Sequence, residues 1–257
     1  MITQPVSKPY AVPGLYMTII ILYGDGQTIP SSDIQAVSNS GQARKSGWGN
    51  MRYSKEHKAE TRQQILIQAT RRFLQDGVEG TGIAGLMAEA GLTHGGFYAH
   101  FANKDELIAA SIATGFQHTR AILVREAAAW QAAGGSGLEG VIRLYLSPRH
   151  RDLRAKGCIA AMLSPEIARL PKPARASFTD ELNALLQLIA DLLPATADGK
   201  RIGKTQRRDR ATDILTGMMG SLQLACAVSD QTLSDRLLRR GISTALELAN
   251  TLPSAAS

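Results

Sequence analysis

The sequence predicts an all-α protein of about nine helices, a small N-terminal unit followed by a larger helical body. Three observations carry that reading. From Thr61 onward apolar residues recur at spacings of three and four, no stretch sustains the alternation of a half-buried strand, and the intervals between periodic segments are short. The 257 residues, 44% hydrophobic and 20% charged, suit one large or two small globular domains. No apolar run approaches the roughly 20 residues that cross a bilayer. The two cysteines, Cys158 and Cys226, stand outside any CxxC or zinc-ligand spacing. A reducing, cytoplasmic setting is therefore expected, with no membrane partner, metal or cofactor.

Residues 1–50 stand apart, with Pro5, Pro9, Pro13 and Pro30, a Gly24-Asp25-Gly26 turn and a Ser/Gly/Asn-rich stretch over 31–50. They are expected to be a disordered extension, or to precede a true start at Met51. The apolar stretch 15–23 lacks the small-residue cleavage site of a signal peptide. Domains are expected at 51–105 and 106–257.

The first helix carries Ile65, Leu66, Ala69 and Phe73 on one stripe and ends at Gly77. Thr81 is the expected N-cap of a short second helix that buries Ile83, Leu86, Met87 and Ala90, and Gly91 stops it. Thr93 caps a third short helix with Phe97 and Phe101 facing inward. Asn103, with Glu106 three residues on, opens a long fourth helix bearing Leu107, Ile108, Ile112, Phe116 and Leu123. Gly134, Gly135 and Gly137 read as a flexible connector. Further helices are expected over 138–146, 158–170, 173–193, 206–228 and 230–251, with Pro165 kinking or restarting the second of these. The basic runs 143–156 and 200–210 read as solvated loops.

Helix, glycine turn and second short helix over 81–101 form a helix-turn-helix, which places its second helix against base edges in the major groove. Thr93, His94, Gly95 and Gly96 at the start of that helix bring backbone N–H groups close to phosphate, and Tyr98 points away from Phe97 and Phe101. Residues 51–110 hold seven basic and seven acidic side chains, so the overall charge of +7 does not itself argue for DNA. The support is local, from Arg52, Lys55, Lys58 and Arg62 before the unit and Lys104 after it. Thr81, His94 and His100 complete the candidate contacts. Gly80-Thr81-Gly82-Ile83-Ala84-Gly85 matches the dinucleotide pattern GxGxxG but follows a helix, not the strand that pattern requires. No nucleophile, paired carboxylates or metal cluster supports an enzyme.

Thr61-Arg62, Gly77, Thr81, Ala90-Gly91-Leu92-Thr93, Gly95, Phe97-Tyr98, Phe101 and Asn103-Lys104-Asp105-Glu106-Leu107 together resemble the tetracycline-repressor (TetR/AcrR) family over about residues 58–110. Gly157-Cys158-Ile159-Ala160-Ala161 followed by Glu166 is similar to one subgroup. Met87 stands where the family usually has Ala, and Gly82 and Gly85 replace residues that are commonly polar, so a soft second helix is expected. The resemblance implies a ligand-responsive regulator, most simply a repressor on a palindromic double-stranded operator, with a small-molecule pocket in the larger domain. Candidate pocket residues are Phe116, Tyr145, Cys158, Met162, Phe178 and Met219, each with core packing as its bland alternative. Apolar faces on the last two helices, Ile214, Met218 and Leu222 with Leu237, Leu238, Ile242 and Leu246, suggest a four-helix homodimer interface. Cys158, near Arg154 and Lys156 at a helix start, is a candidate electrophile or redox sensor; buried inert thiol is the alternative.

Overall fold

In a computed structural model the chain is described at residues 50–153, 157–194 and 203–250, with side chains from Glu56 onward. Expectations for residues 1–49, for the side chains of Arg52 and Lys55, and for Arg154 and Lys156 lie outside the described residues. Within them the chain forms nine α-helices, one 3-10 helix and no strand. The N-terminal unit comprises α1 (Asn50–Asp76), α2 (Ile83–Glu89) and the 3-10 helix (His94–Ala99). The body comprises α3 (Lys104–Ala132), α4 (Gly137–Tyr145), α5 (Pro148–Asp152), α6 (Ile159–Ile167), α7 (Lys172–Leu192), α8 (Lys204–Ala227) and α9 (Gln231–Asn250).

Local chemistry sets most boundaries. α1 begins a full three turns before Thr61, because 51–60 is rich in Lys, Glu and Arg and free of Gly and Pro. It ends where Gly77 takes φ +77° and donates to Phe73 O. Asn103 Oδ1 accepts from Glu106 N–H at 2.9 Å while Glu106 Oε2 accepts from Ala102 N–H at 2.7 Å, so the start of α3 is held from both directions. Ser136 caps α4, Ser147 with Pro148 behind it opens α5, and Asp230 caps α9 through Thr232 and Leu233. The glycine run after α3 is a tight turn, not a loose connector. Gly135 donates to Trp130 O at 2.8 Å, and a Cβ at Gly140 would lie 2.5 Å from the Trp130 ring.

A single apolar core runs from Ile65 in α1 to Ala249 in α9, with α3 packed against α4 and α7, and α8 against α9 and α7. Where α3 crosses α1 and α6, Gly115 has no room for a side chain: a Cβ would meet Ile159 Cδ1 at 2.2 Å and Thr70 Cγ2 at 3.1 Å. Ile214, Met218, Leu222 and Leu238 are buried in this core, and Leu237, Ile242 and Leu246 pack on it half-buried. The faces that suggested a dimer interface are thus filled largely from within the chain. The large apolar residue that α8 leaves outside is Leu224, 56% exposed.

The basic runs are not simply solvated. Residues 148–152 form α5, and Arg151 is buried there, donating to Ser234 Oγ at 2.9 Å, Asp235 Oδ1 at 2.6 Å and Asp152 Oδ1 at 2.7 Å. Those carboxylates raise its pKa further, against the opposing effect of burial. Arg207 donates to Ala190 O and Leu193 O, satisfying carbonyls at the end of α7. Pro165 lies inside α6 without restarting it. Having no N–H, it leaves Ala161 O without a helical donor, and Gln223 Nε2 from α8 fills that place at 2.6 Å.

Candidate nucleic-acid interface

The reading unit is built on buried aromatic and aliphatic side chains. Leu86 and Met87 from α2 meet Phe97 and Phe101, all at most 1% exposed, and the two Phe rings stack with centroids 5.6 Å apart. Between the helices Gly91 adopts φ +70°, with Leu92 N–H donating to Met87 O at 2.8 Å. Thr93 caps the following helix as its sequence position implies, accepting from Gly96 N–H at 3.3 Å. That helix is 3-10 over its six residues, as His-Gly-Gly offers little α propensity.

On the outer face Tyr98 is 62% exposed, held edge-on to Phe97 at 5.3 Å and to His94 at 6.1 Å. His94 and Gly95 are also exposed, and nothing lies within 4 Å of a Cβ built on Gly95. Gly96 is half-buried against Thr93 and Met87. Lys104 is half-buried at the first position of α3. Gly85 is exposed with open space around it, and Gly82 precedes α2 rather than interrupting it.

Three candidate contacts have other work. Thr81 is buried and donates to Gly77 O at 2.8 Å, while Gly82 takes the N-cap position without a side-chain bond. Its hydroxyl proton closes the end of α1. Arg62 lies over the Phe101 ring at 4.6 Å and donates to His100 O and to Glu106 Oε1 at 3.2 Å, so it ties α1 to the start of α3. His100 has its Nδ1 buried without a partner, and burial, then Lys58 and Arg62, push its pKa down. The tie made by Arg62 was not legible in sequence, since its acceptors lie 38 and 44 residues away.

Of the pocket candidates, Phe116, Tyr145 and Cys158 are buried core residues, and Phe178 packs edge-on to Phe116 at 5.4 Å. Met219 packs half-buried against the same core. Burial pushes the Cys158 thiol up, outweighing the neighbouring Tyr145 hydroxyl and the N–H groups of Ala161 and Ala160. Met162 borders an open cleft of about 1020 Å³ whose walls also include Phe73, Leu153, Glu166, Gln223 and Cys226. Among the described residues no group of three or more His, Cys, Asp or Glu is placed to hold a metal, and no helix is long and apolar enough to cross a membrane.

Residues 65–111 match the family model described as bacterial regulatory proteins, tetR family. The HTH-type transcriptional regulator TtgR of Pseudomonas putida is 45% identical over 60 residues, covering 23% of this chain and 29% of that protein. AcrR of Shigella flexneri is 43% identical over 56 residues, covering 22% and 26%. These matches span less than a third of the relatives' length. The body is compared through structures: reduced NemR of E. coli aligns with TM-score 0.59 over 77% of this chain and 100% of its own, at 19% identity. A TetR transcriptional regulator of Chloroflexus aurantiacus aligns with TM-score 0.60 over 76% and 94%, at 21% identity. At such identities the likeness is one of fold. Over residues 65–111 the chain is thus similar in sequence to the tetR family of bacterial regulatory proteins, and beyond them it shares the all-helical fold of the solved regulators.

Proposed function

We propose that this protein is a sequence-specific DNA-binding transcriptional regulator, acting as a homodimer on a palindromic double-stranded operator and released from it by a small molecule. The observation that carries the reading is the exposed Tyr98–His94 edge, projected from a 3-10 helix that Phe97, Phe101 and Arg62 hold in place. A rigid platform bearing two exposed hydrogen-bonding rings suits groove recognition, where the side chains that read bases must be fixed in register. Thr93, His94, Gly95, Gly96, Tyr98 and Lys104 remain its contact residues. Selection from a random-sequence DNA pool tests it, with enrichment of an inverted repeat by wild type and none by Tyr98→Ala. A pool left unenriched by the wild-type protein overturns it.

Dimerisation through α8 and α9 is supported by Leu224 and by Gly217 and Gly220, around which there is open space for a second helix. The cleft bordered by Met162 is the favoured effector site over the interior, whose candidate residues are packed. A fully buried thiol with a raised pKa favours a non-covalent effector over an electrophile or oxidant sensed at Cys158.

A further inference from the structure

From Gly82 to Ala102 the chain carries five polar side chains, Glu89, Thr93, His94, Tyr98 and His100. Two of them turn to the chain itself. Glu89 is paired with Arg72 at 3.5 Å, and its charge repels phosphate. His100 is half-buried, with Nδ1 enclosed. Thr93 Oγ1 accepts from Gly96 N–H and keeps its proton to donate. On α2 the exposed positions other than Glu89 are Ala84, Gly85 and Ala88, and around Tyr98 in the chain they are Gly95, Ala99 and Ala102. Each of these brings a hydrogen or a methyl group to whatever it meets, with no donor and no charge. The reading face is therefore small, uncharged and largely apolar, and one aromatic ring stands out of it. Tyr98 is 62% exposed, and the planes of His94 and Phe97 lie at 87° and 85° to it, so neither ring stacks flat upon it.

A face of this kind sorts base pairs by what it can gain from them. In the major groove the edge of a G·C pair is polar throughout, whereas an A·T pair adds the C5-methyl group of thymine, the one apolar feature the groove offers. Polar base edges buried against Gly and Ala are left without partners, while a methyl group buried there leaves water at a gain. We infer that the operator half-site is read through thymine methyl groups, one of them seated on the Tyr98 ring, and that His94 supplies the hydrogen bond that fixes the register. The two rings have centroids 6.1 Å apart, less than two steps of about 3.4 Å along a duplex strand. The thymine under Tyr98 therefore lies within two base pairs of the pair that His94 meets. The inference rests on the DNA-binding reading and adds to it the chemistry of the half-site.

The test uses the operator that the wild-type protein selects from a random pool. Thymine is replaced by deoxyuridine at one half-site position at a time, in both half-sites together, which removes the C5-methyl group and keeps every hydrogen-bonding group. At one position wild type is expected to bind the deoxyuridine duplex roughly tenfold more weakly, about three- to fourfold for each methyl group lost. Tyr98→Ala is expected to bring the ratio of the two affinities at that position to within about twofold of one. Tyr98→Phe is expected to keep the wild-type ratio, because the ring and not the hydroxyl makes the contact. An operator without thymine in its half-sites, or one whose binding no deoxyuridine substitution weakens, overturns the inference and leaves the DNA-binding reading standing. A ratio that persists in Tyr98→Ala at every sensitive position overturns the part given to Tyr98, and a ratio lost in Tyr98→Phe overturns the part given to its ring. A wild-type protein that enriches no sequence from the pool overturns the DNA-binding reading, and the inference with it.

Discussion

Tyr98 and Arg62 differ in what they touch: Tyr98 is mostly solvated, and Arg62 joins α1 to the start of α3. Tyr98→Ala is expected to weaken operator binding by about 1–3 kcal/mol while leaving the denaturation midpoint unchanged, because its ring touches Phe97 only edge-on and is mostly solvated. Lys104→Ala should lower the slope of log affinity against log salt by about one, if its ammonium meets a phosphate; an unchanged slope removes it from the interface. Arg62→Ala should do the reverse of Tyr98→Ala and lose stability by about 1–2 kcal/mol, with Arg62→Lys a poor substitute, since only a planar guanidinium both covers Phe101 and forks to His100 O and Glu106. These roles were only partly readable in the chain. The apolar residues of the reading unit announce themselves by spacing, and so does the Asn103–Glu106 cap. Arg62, Arg151 and Arg207 look like surface charge because, Asp152 beside Arg151 apart, their partners lie 14 to 84 residues away. Thr81 was misread because its hydroxyl can either accept from a helix N–H as a cap or donate back to Gly77 O, and the structure uses the second.

At the level of elements, glycines separate into those the fold requires and those it tolerates. Gly77→Ala should destabilise by about 1–3 kcal/mol, since it combines φ +77° with a close carboxylate. Gly85→Ala should instead stabilise α2 by about 0.5–1 kcal/mol, as its Cβ meets nothing within 4 Å. Urea denaturation of both variants checks the opposite signs. The short α5 was not legible, because Ser147-Pro148 begins a basic stretch whose burial depends on α9. The 3-10 form of the reading helix was likewise hidden behind a cap and two Phe residues that suit either helix.

For the molecule as a whole, titration follows from burial. Burial holds the pKa of His118 and of His150 below 6.5, so the folded protein binds fewer protons there than the unfolded chain. Their contribution to stability is present above pH 6.5 and lost as pH falls through it. Cys158 and Tyr145 are shifted upward, so their contribution is present at neutral pH and is lost as pH rises beyond about 9 for the thiol and about 10 for the phenol. Thermal melts across pH 5 to 10 should show a plateau near neutrality with decline on both sides, the acid limb beginning before the carboxylates protonate. A melting temperature flat from pH 7 to 5 contradicts the histidine assignment.

The notch at Gly115 has a kinematic consequence. With Ile159 Cδ1 seated where a side chain would be, α3 can neither slide along its axis nor roll about it without ejecting that methyl group. What remains is tilting about the crossing point, so Gly115 serves as a fulcrum. The arm from there to Lys104 is about 16 Å long at 1.5 Å per residue, and a tilt of roughly 10° swings its end by about 3 Å. That displacement is comparable to a hydrogen-bond length, reached while the core around the fulcrum scarcely moves.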